Sequence, residues 1–149
     1  MGTWGLGNFE NDIAMDLVAE ISDSPNGATI LVSSIQATAN TPVSEFLDVE
    51  DAMETLVAIE FLSAQKGNLA EDFPEEGAQW LEENDLLDGD SFIGGTREEK
   101  GSFLVELSLK AIDRIIGANS ELREVWEDSD DYDEWLISLD DLKVRLISH

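Results

Sequence analysis

The chain alternates between segments in which apolar residues recur every three or four positions and short polar segments rich in Gly, Pro, Asn and Asp. Such spacing puts apolar side chains on one face and is typical of amphipathic α-helices packed in a bundle. The first segment follows Asn11, and either Asn11 or Asp12 is expected to cap it. Its apolar positions are Ile13, Ala14, Leu17, Val18 and Ile21.

The same spacing predicts six or seven helices in all. The signal is weaker at 28–39, because this segment contains several β-branched residues. The segment near 102–117 is apolar on more than one face, which predicts a central helix surrounded by the others. Further helices are predicted from Asp48 to Gly67, at 77–84, near 122–126 and from Tyr132 to Leu146. The predicted fold is therefore all-α, a bundle built around the helix near 102–117.

Length and composition indicate one folded domain, residues 1–149. The chain has 149 residues, of which 42% are hydrophobic. A chain of this size buries roughly 68–70% of its unfolded surface on folding, so it can form a core without disulfides or metals. The hydrophobic content also argues against a disordered acidic protein.

Charge is the most unusual feature of the composition: 34 Asp and Glu against 8 Lys and Arg give a net charge of −26. No Lys or Arg precedes Lys66, and none lies between Lys66 and Arg97. A field of one sign repels DNA and RNA but attracts and steers basic proteins. We therefore expect a basic protein partner, no direct contact with nucleic acid and, because copies repel each other, a monomer before complex formation.

The residue types that carry most enzyme chemistry are scarce. The chain has no Cys, and its single His is His149, which excludes thiolate zinc sites, cysteine nucleophiles and the usual activation of serine by histidine. Carboxylates are so abundant that no catalytic pair stands out. The segment from Asp128 resembles a calcium loop, but its fifth, sixth and twelfth positions are Tyr132, Asp133 and Leu139. We expect no metal, no cofactor and no enzymatic activity.

Two acidic clusters are the predicted contact surface for the partner. Their carboxylates are Asp85, Asp88, Asp90, Glu127, Asp128, Asp130, Asp131, Asp133 and Glu134. The alternative is that these side chains only keep the protein soluble, as acidic surfaces commonly do. The first cluster lies in a Gly-rich link, 85–95, which we expect to be the most mobile part of the chain.

The N-terminal segment places Gly2, Gly5 and Gly7 around Trp4. It follows no predicted strand and lacks the Lys-Ser/Thr pair of a phosphate-binding loop. We expect the glycines to let the chain turn while Trp4 and Phe9 pack on the helices, with a recognition surface as the alternative. The segment also lacks the features of a signal peptide, and no apolar run is long enough to span a membrane, which indicates the cytoplasm.

Both ends of the chain resemble one protein family. The start reads Met1-Gly-Thr-Trp4-Gly5-Leu-Gly7-Asn-Phe9-Glu-Asn11-Asp12, and the C-terminal third contains Ala111-Ile-Asp113-Arg114 followed by Asn119-Ser120-Glu121-Leu122-Arg-Glu124-Val-Trp126. These motifs are similar to those of the bacterial family known as domain of unknown function 4259. The resemblance implies a bacterial, cytoplasmic, helical protein, and it carries no catalytic residues over to this chain.

The leading hypothesis is an immunity or inhibitor protein that binds and neutralises a basic toxin domain, of the nuclease class, through its carboxylates. Small acidic bacterial proteins often resemble immunity proteins, which supports this hypothesis by analogy. The alternatives are a DNA-mimic regulator that sequesters a DNA-binding protein, and an enzyme that uses carboxylates or a divalent ion.

Overall fold

A computed structural model describes residues 7–88 and 96–148. These residues form seven α-helices and one short 3-10 helix, and they contain no β-strand. The α-helices are α1 (Asp12–Asp23), α2 (Gly27–Ala39), α3 (Val49–Gln65), α4 (Glu75–Glu83), α5 (Arg97–Ile116), α6 (Glu121–Glu127) and α7 (Tyr132–Ile147), and the 3-10 helix is Leu86–Asp88. The predicted all-α bundle is confirmed, and it includes the helix at 28–39 despite its β-branched residues.

The polar residues expected to start α1 and α3 do so by accepting a backbone N–H. Asn11 Oδ1 accepts from Ala14 N at 2.7 Å, and Asp48 Oδ1 accepts from Asp51 N at 2.8 Å. These bonds satisfy N–H groups that the first helical turn leaves without a partner. After α3, Gly67 has a φ of 96°, in the left-handed region that favours glycine. Local sequence signals therefore predict the start of α1 and both the start and the end of α3.

The helix at the centre of the bundle is α3. Ten consecutive residues of α3, from Thr55 to Ala64, are buried. All the other described helices pack against α3: α1, α2, α4, α5, α6, α7 and the 3-10 helix. The prediction that the helix near 102–117 is central is therefore wrong.

In contrast, α5 is amphipathic and begins earlier than predicted. Thr96 Oγ1 accepts from Glu99 N at 3.2 Å, so the helix starts at Arg97 and not at 102. Its exposed positions recur at helical spacing and mark a solvent-facing side: Phe103, Glu106, Lys110 and Asp113. The apolar residues that suggested a fully enclosed helix include Leu107 and Leu109, which are only partly buried.

The N-terminal segment packs on α3 through an aromatic cluster. Phe9 is 3% exposed, and its ring lies edge-on to Phe73 with centroids 5.2 Å apart. Phe73 lies 5.0 Å from Phe61, which in turn lies 5.7 Å from Trp80. Edge-to-face pairs of this kind add to the stabilisation from apolar burial. The expected packing of Phe9 is confirmed, whereas Trp4 lies outside the described residues.

The 3-10 helix anchors the beginning of the link that the sequence predicts to be mobile. Leu86 is 1% exposed, and its backbone N donates to Gln65 Oε1 at 2.8 Å. A buried side chain and a satisfied backbone donor hold this part of the link against α3. The rest of the link, 89–95, lies outside the described residues.

Candidate functional site

The acidic turn, which we define as residues 127–134, joins α6 to α7. Its six carboxylates are all exposed: Glu127, Asp128, Asp130, Asp131, Asp133 and Glu134. Asp133 and Glu134 lie in the first turn of α7, where the positive end of the helix dipole stabilises anions. Glu127 forms an ion pair with Arg123 at 3.3 Å, and such a surface pair contributes at most about 1 kcal/mol. The turn thus exposes a dense group of carboxylates to solvent.

Aromatic side chains support the acidic turn. Trp126 and Trp135 stack with ring centroids 6.1 Å apart and an interplanar angle of 12°, and Tyr132 lies 6.1 Å from Trp135. Trp135 is 1% exposed, so this group is continuous with the core. Ser129 Oγ donates to Trp126 O at 2.7 Å and accepts from Asp131 N at 3.1 Å. The carboxylates are therefore held on a backbone of defined conformation.

The first predicted cluster is partly engaged in holding its own segment. Asp85 Oδ1 accepts from Leu87 N at 2.8 Å, and Asp85 Oδ2 forms an ion pair with Arg97. Asp88 is the last residue of the 3-10 helix, and Asp90 lies outside the described residues. In the described part of the chain, the 3-10 helix packs against α2, α3 and α5 and not against α6 or α7. Asp85 and the acidic turn are therefore held in place by different elements.

Most of the positive charge is engaged by the protein's own groups. Among residues 7–88 and 96–148, the structure gives such a partner to six Lys and Arg side chains. Arg97, Arg123, Lys143 and Arg145 pair with carboxylates, whereas Lys66 and Arg114 donate to backbone carbonyls. The net charge of −26 makes the field at the surface negative.

A buried ion pair, which the sequence analysis missed, joins α3 to α7. Glu60 is 2% exposed and accepts from Arg145 Nη1 at 2.7 Å and from Arg145 Nη2 at 3.2 Å. Asn8 Nδ2 donates to Glu60 Oε2 at 2.7 Å, and Asp141 Oδ2 accepts from Arg145 Nε at 2.9 Å. One signal could have revealed the pair, because Glu60 is the single charged residue in the apolar run 56–64.

The neighbours of Arg145 favour the charged form of its guanidinium. Burial by itself lowers the pKa of Arg145, but the hydrogen bonds to Glu60 and Asp141 and their negative charges outweigh burial and raise it. Asp141 and Arg145, four residues apart on α7, form an ion pair of their own. Arg145 is a permanent cation at physiological pH, and it holds the N-terminal segment, α3 and α7 together through Glu60.

A polar cleft of about 450 Å³ lies beside the ion pair. Its walls include Asn8, Glu10, Glu60, Asp72, Asp141 and Arg145. The Asp72 carboxylate occupies the place where a Cβ on Gly7 would lie, and it accepts from Phe9 N at 3.3 Å. A Cβ at residue 7 would require the carboxylates of Asp72 and Glu10 to shift.

Arg114 joins two loops of the bundle. It is 7% exposed, and its guanidinium donates to backbone carbonyls of the loop between α2 and α3 and of the segment that follows α5. The acceptors are Thr41 O at 2.8 Å, Pro42 O at 3.2 Å, Glu45 O at 2.6 Å, Ala118 O at 2.9 Å and Asn119 O at 3.4 Å. A planar group with five N–H donors is suited to this arrangement. Arg114 is thus a structural residue that fixes the loop between α2 and α3.

Backbone and side-chain bonds reinforce the same junction. Leu47 N donates to Asn119 O at 3.0 Å, and Glu121 N donates to Leu47 O at 2.9 Å. Glu121 Oε1 accepts from Val49 N at 2.8 Å and so helps to cap α3 from α6. Asn119 has a φ of 59°, a conformation that Asn tolerates better than most residues. The segment that follows α5 is therefore shaped to hold the start of α3.

Comparison with known proteins identifies the family of the chain. The sequence profile of the family described as Domain of unknown function (DUF4259) matches residues 2–138. The chain belongs to this family. No curated protein and no solved structure matches it significantly.

In this DUF4259 chain, four described residues of the two family-like motifs have structural roles. In the N-terminal motif, Phe9 fills the aromatic cluster and Asn11 caps α1. In the C-terminal motif, Arg114 holds the loop carbonyls and Ser120 caps α6, accepting from Arg123 N at 3.5 Å. Phe9, Asn11, Arg114 and Ser120 of these motifs therefore stabilise the fold.

Carboxylates crowd the first turns of α3. Burial raises the pKa of Asp51 above its ordinary value, and the negative charges of Asp48 and Glu50 raise it further. Burial likewise raises the pKa of Glu54, with added repulsion from Glu50, Asp51, Glu20 of α1 and Asp48. Both groups are destabilised in the ionised form by their neighbours.

Glu54→Gln is expected to stabilise the protein near neutral pH. A carboxyl whose folded-state pKa is raised costs stability when ionised, and the cost disappears as pH falls through that pKa to below its ordinary value of 4.5. Because solvent screens this partly exposed group, we expect a gain of less than about 1 kcal/mol in the free energy of unfolding at pH 7. Urea denaturation at neutral pH and near pH 4 measures the gain and its loss.

The matched control is Glu106→Gln, in the exposed middle of α5. Lys110 lies four residues further on, so removal of the Glu106 charge also removes its favourable interaction with Lys110. This variant should be no more stable than the wild type at either pH. A gain for Glu54→Gln that is equal at both pH values would contradict the electrostatic explanation.

Two further features concern the described residues only. Within 7–88 and 96–148, no three His, Asp or Glu side chains converge in a way that could hold a metal ion. None of the helices in that part of the chain combines the length and the apolar character needed to cross a membrane.

Proposed function

We propose that this chain is an immunity or inhibitor protein that binds a basic toxin domain of the nuclease class and neutralises it. One observation carries the proposal: the acidic turn exposes six carboxylates on an aromatic base that is continuous with the core. A surface that only keeps a protein soluble requires dispersed charge and no such support. The net charge of −26 supports the proposal by giving the whole surface a negative field.

The chemistry of the proposed partner follows from the charge. A nuclease binds the phosphates of its substrate in a groove lined with Lys and Arg. Carboxylates of the acidic turn would pair with these cations and exclude the substrate from the groove. Opposite fields of this kind accelerate association and favour the correct partner over neutral or acidic proteins.

The acidic turn is the better supported of the two predicted contact surfaces. Its carboxylates are exposed, and the ion pair of Glu127 with Arg123 involves only one of the six. Asp85, in contrast, is held by Leu87 N and Arg97. We therefore place the main contact at Asp128, Asp130, Asp131, Asp133 and Glu134.

A cell-protection assay tests the function directly. The C-terminal domain of a secreted protein encoded beside this gene would be expressed with and without the chain. Restored growth, together with inhibition of the domain's nuclease activity by the purified chain, is the expected result. Unrestored growth and an uninhibited nuclease would refute the proposal.

Neutralising the acidic turn is expected to slow association with that toxin domain about tenfold at low salt, because steering depends on opposite charge. The variant carries Asp130→Asn, Asp131→Asn, Asp133→Asn and Glu134→Gln. Stopped-flow or surface-based kinetics would give the association rate, and the difference from wild type should shrink as salt screens the charges.

The control variant changes the net charge equally at a different place. It carries Glu75→Gln, Glu76→Gln, Glu82→Gln and Glu83→Gln on α4, all at exposed positions. Its association rate should fall much less than that of the turn variant. Equal slowing of both variants would mean that the partner responds to total charge and does not contact the turn.

A further inference from the structure

The outward side of α7 carries an apolar stripe. Ile137, Val144 and Ile147 are 69%, 51% and 57% exposed, and we call these three residues the α7 stripe. Ile137 and Val144 are seven residues apart, which is about two turns, so they share one face of the helix. The opposite face holds the buried residues Trp135, Leu139, Leu142 and Leu146. The helix is therefore apolar on two sides, and one of them faces solvent.

Carboxylates border the α7 stripe along its length. Asp133 lies four residues before Ile137, and Asp140 lies four residues before Val144, so each acid neighbours an apolar residue on the helix surface. The side chain of Asp141 is 66% exposed nearby. Since Asp133 also belongs to the acidic turn, the stripe continues the surface already proposed to bind a basic partner.

We propose that the α7 stripe binds apolar side chains of a basic protein, on a face where such side chains alternate with Lys and Arg. This inference rests on the proposed function and names the second part of its contact surface. Charge brings the partner to the acidic turn, and burial of the stripe slows dissociation, since apolar residues shielded from water account for much of the binding energy at interfaces.

Charge decides between a basic partner and a second copy of the chain. In a pair of copies joined through the stripe, the carboxylates that border it would come close to those of the other copy. The net charge of −26 adds repulsion between the copies as a whole. A partner face rich in Lys and Arg instead offers cations to Asp133 and Asp140.

The test combines one defined probe with a matched pair of variants. The probe is a synthetic helical peptide of Leu and Lys with Leu on one face, and a second peptide has Ser in place of Leu. The stripe variant is Ile137→Ser with Val144→Ser, and the control is Val43→Ser with Phe46→Ser, since Val43 and Phe46 are also 62% and 52% exposed. Circular dichroism verifies that each variant is folded.

Titration calorimetry should show that the stripe variant binds the Leu/Lys peptide about tenfold more weakly than wild type, whereas the control variant is unchanged. The Ser/Lys peptide should bind all three proteins alike, because it reports only the shared charge. Equal weakening in both variants, or none in either, overturns the proposal. Light scattering that shows a wild-type dimer and a monomeric stripe variant also overturns it, in favour of self-association.

The neighbouring toxin domain separates this inference from the function on which it rests. If the stripe variant binds and neutralises the toxin as wild type does, the stripe proposal fails and the proposed function stands. If the wild-type chain fails to protect cells but the stripe binds the Leu/Lys peptide as expected, the immunity function fails and the apolar contact surface stands.

Discussion

Replacing Arg145 with Ala is expected to lower the free energy of unfolding by about 3–5 kcal/mol, the cost of leaving a buried charge without its partner. Glu60 is 2% exposed and receives two of its hydrogen bonds from Arg145. In the variant, Asn8 alone remains of these donors, and the carboxylate loses the positive charge that balanced it. Urea or guanidinium denaturation followed by tryptophan fluorescence would measure the loss.

Two comparison variants make this prediction specific. Lys143 lies on the same helix as Arg145 and forms an exposed ion pair with Asp113 of α5. Lys143→Ala removes this pair and should lower the free energy of unfolding by no more than about 1 kcal/mol. The double variant Glu60→Met with Arg145→Met removes both charges and should recover much of the loss, since apolar residues can replace a buried pair. A double variant as unstable as Arg145→Ala would show that packing, and not the orphaned charge, causes the loss.

Replacing Arg114 with Ala is expected to destabilise the protein by about 2–4 kcal/mol, because it removes five hydrogen bonds from a buried charged donor. Five carbonyls lose a donor, among them Thr41 O and Glu45 O of the loop between α2 and α3. Hydrogen exchange should also become faster in this loop, since the contacts that fix it are gone.

Arg114→Lys and Lys110→Ala are the controls for this prediction. Lysine keeps the positive charge but cannot extend donors toward both loops as a planar guanidinium does, so Arg114→Lys should recover less than half of the loss. Lys110 is exposed on the same helix, and its replacement should change stability by no more than about 0.5 kcal/mol. Full recovery with lysine would show that charge, and not the fork of hydrogen bonds, is what the site requires.

Both predictions separate the scaffold from the proposed binding surface. Arg114 and Glu60 are buried in junctions between helices, whereas the acidic turn and the α7 stripe are exposed. Arg114→Ala acts on the loop between α2 and α3, so variants that remain folded should still bind a partner at the turn. Binding that is lost while the fold persists would instead move the contact surface toward this loop.

Several features could be predicted from the sequence because they depend on neighbouring residues. The side-chain caps at Asn11 and Asp48 and the stop at Gly67 involve groups within one helical turn. The spacing of apolar residues identifies the helices for the same reason. The net charge of −26 follows from composition alone, and it is the basis for expecting a basic partner.

Tertiary structure decided which of these elements meet. Glu60 and Arg145 are 85 residues apart, and Arg114 reaches a carbonyl 73 residues away, so no local pattern pairs them. The spacing of apolar residues also does not say how many sides of a helix will be covered, which is why α3 and not α5 is central. Hydrophobic periodicity indicates which residues favour burial, but only the packing of distant segments determines what covers them. That packing also leaves the α7 stripe exposed.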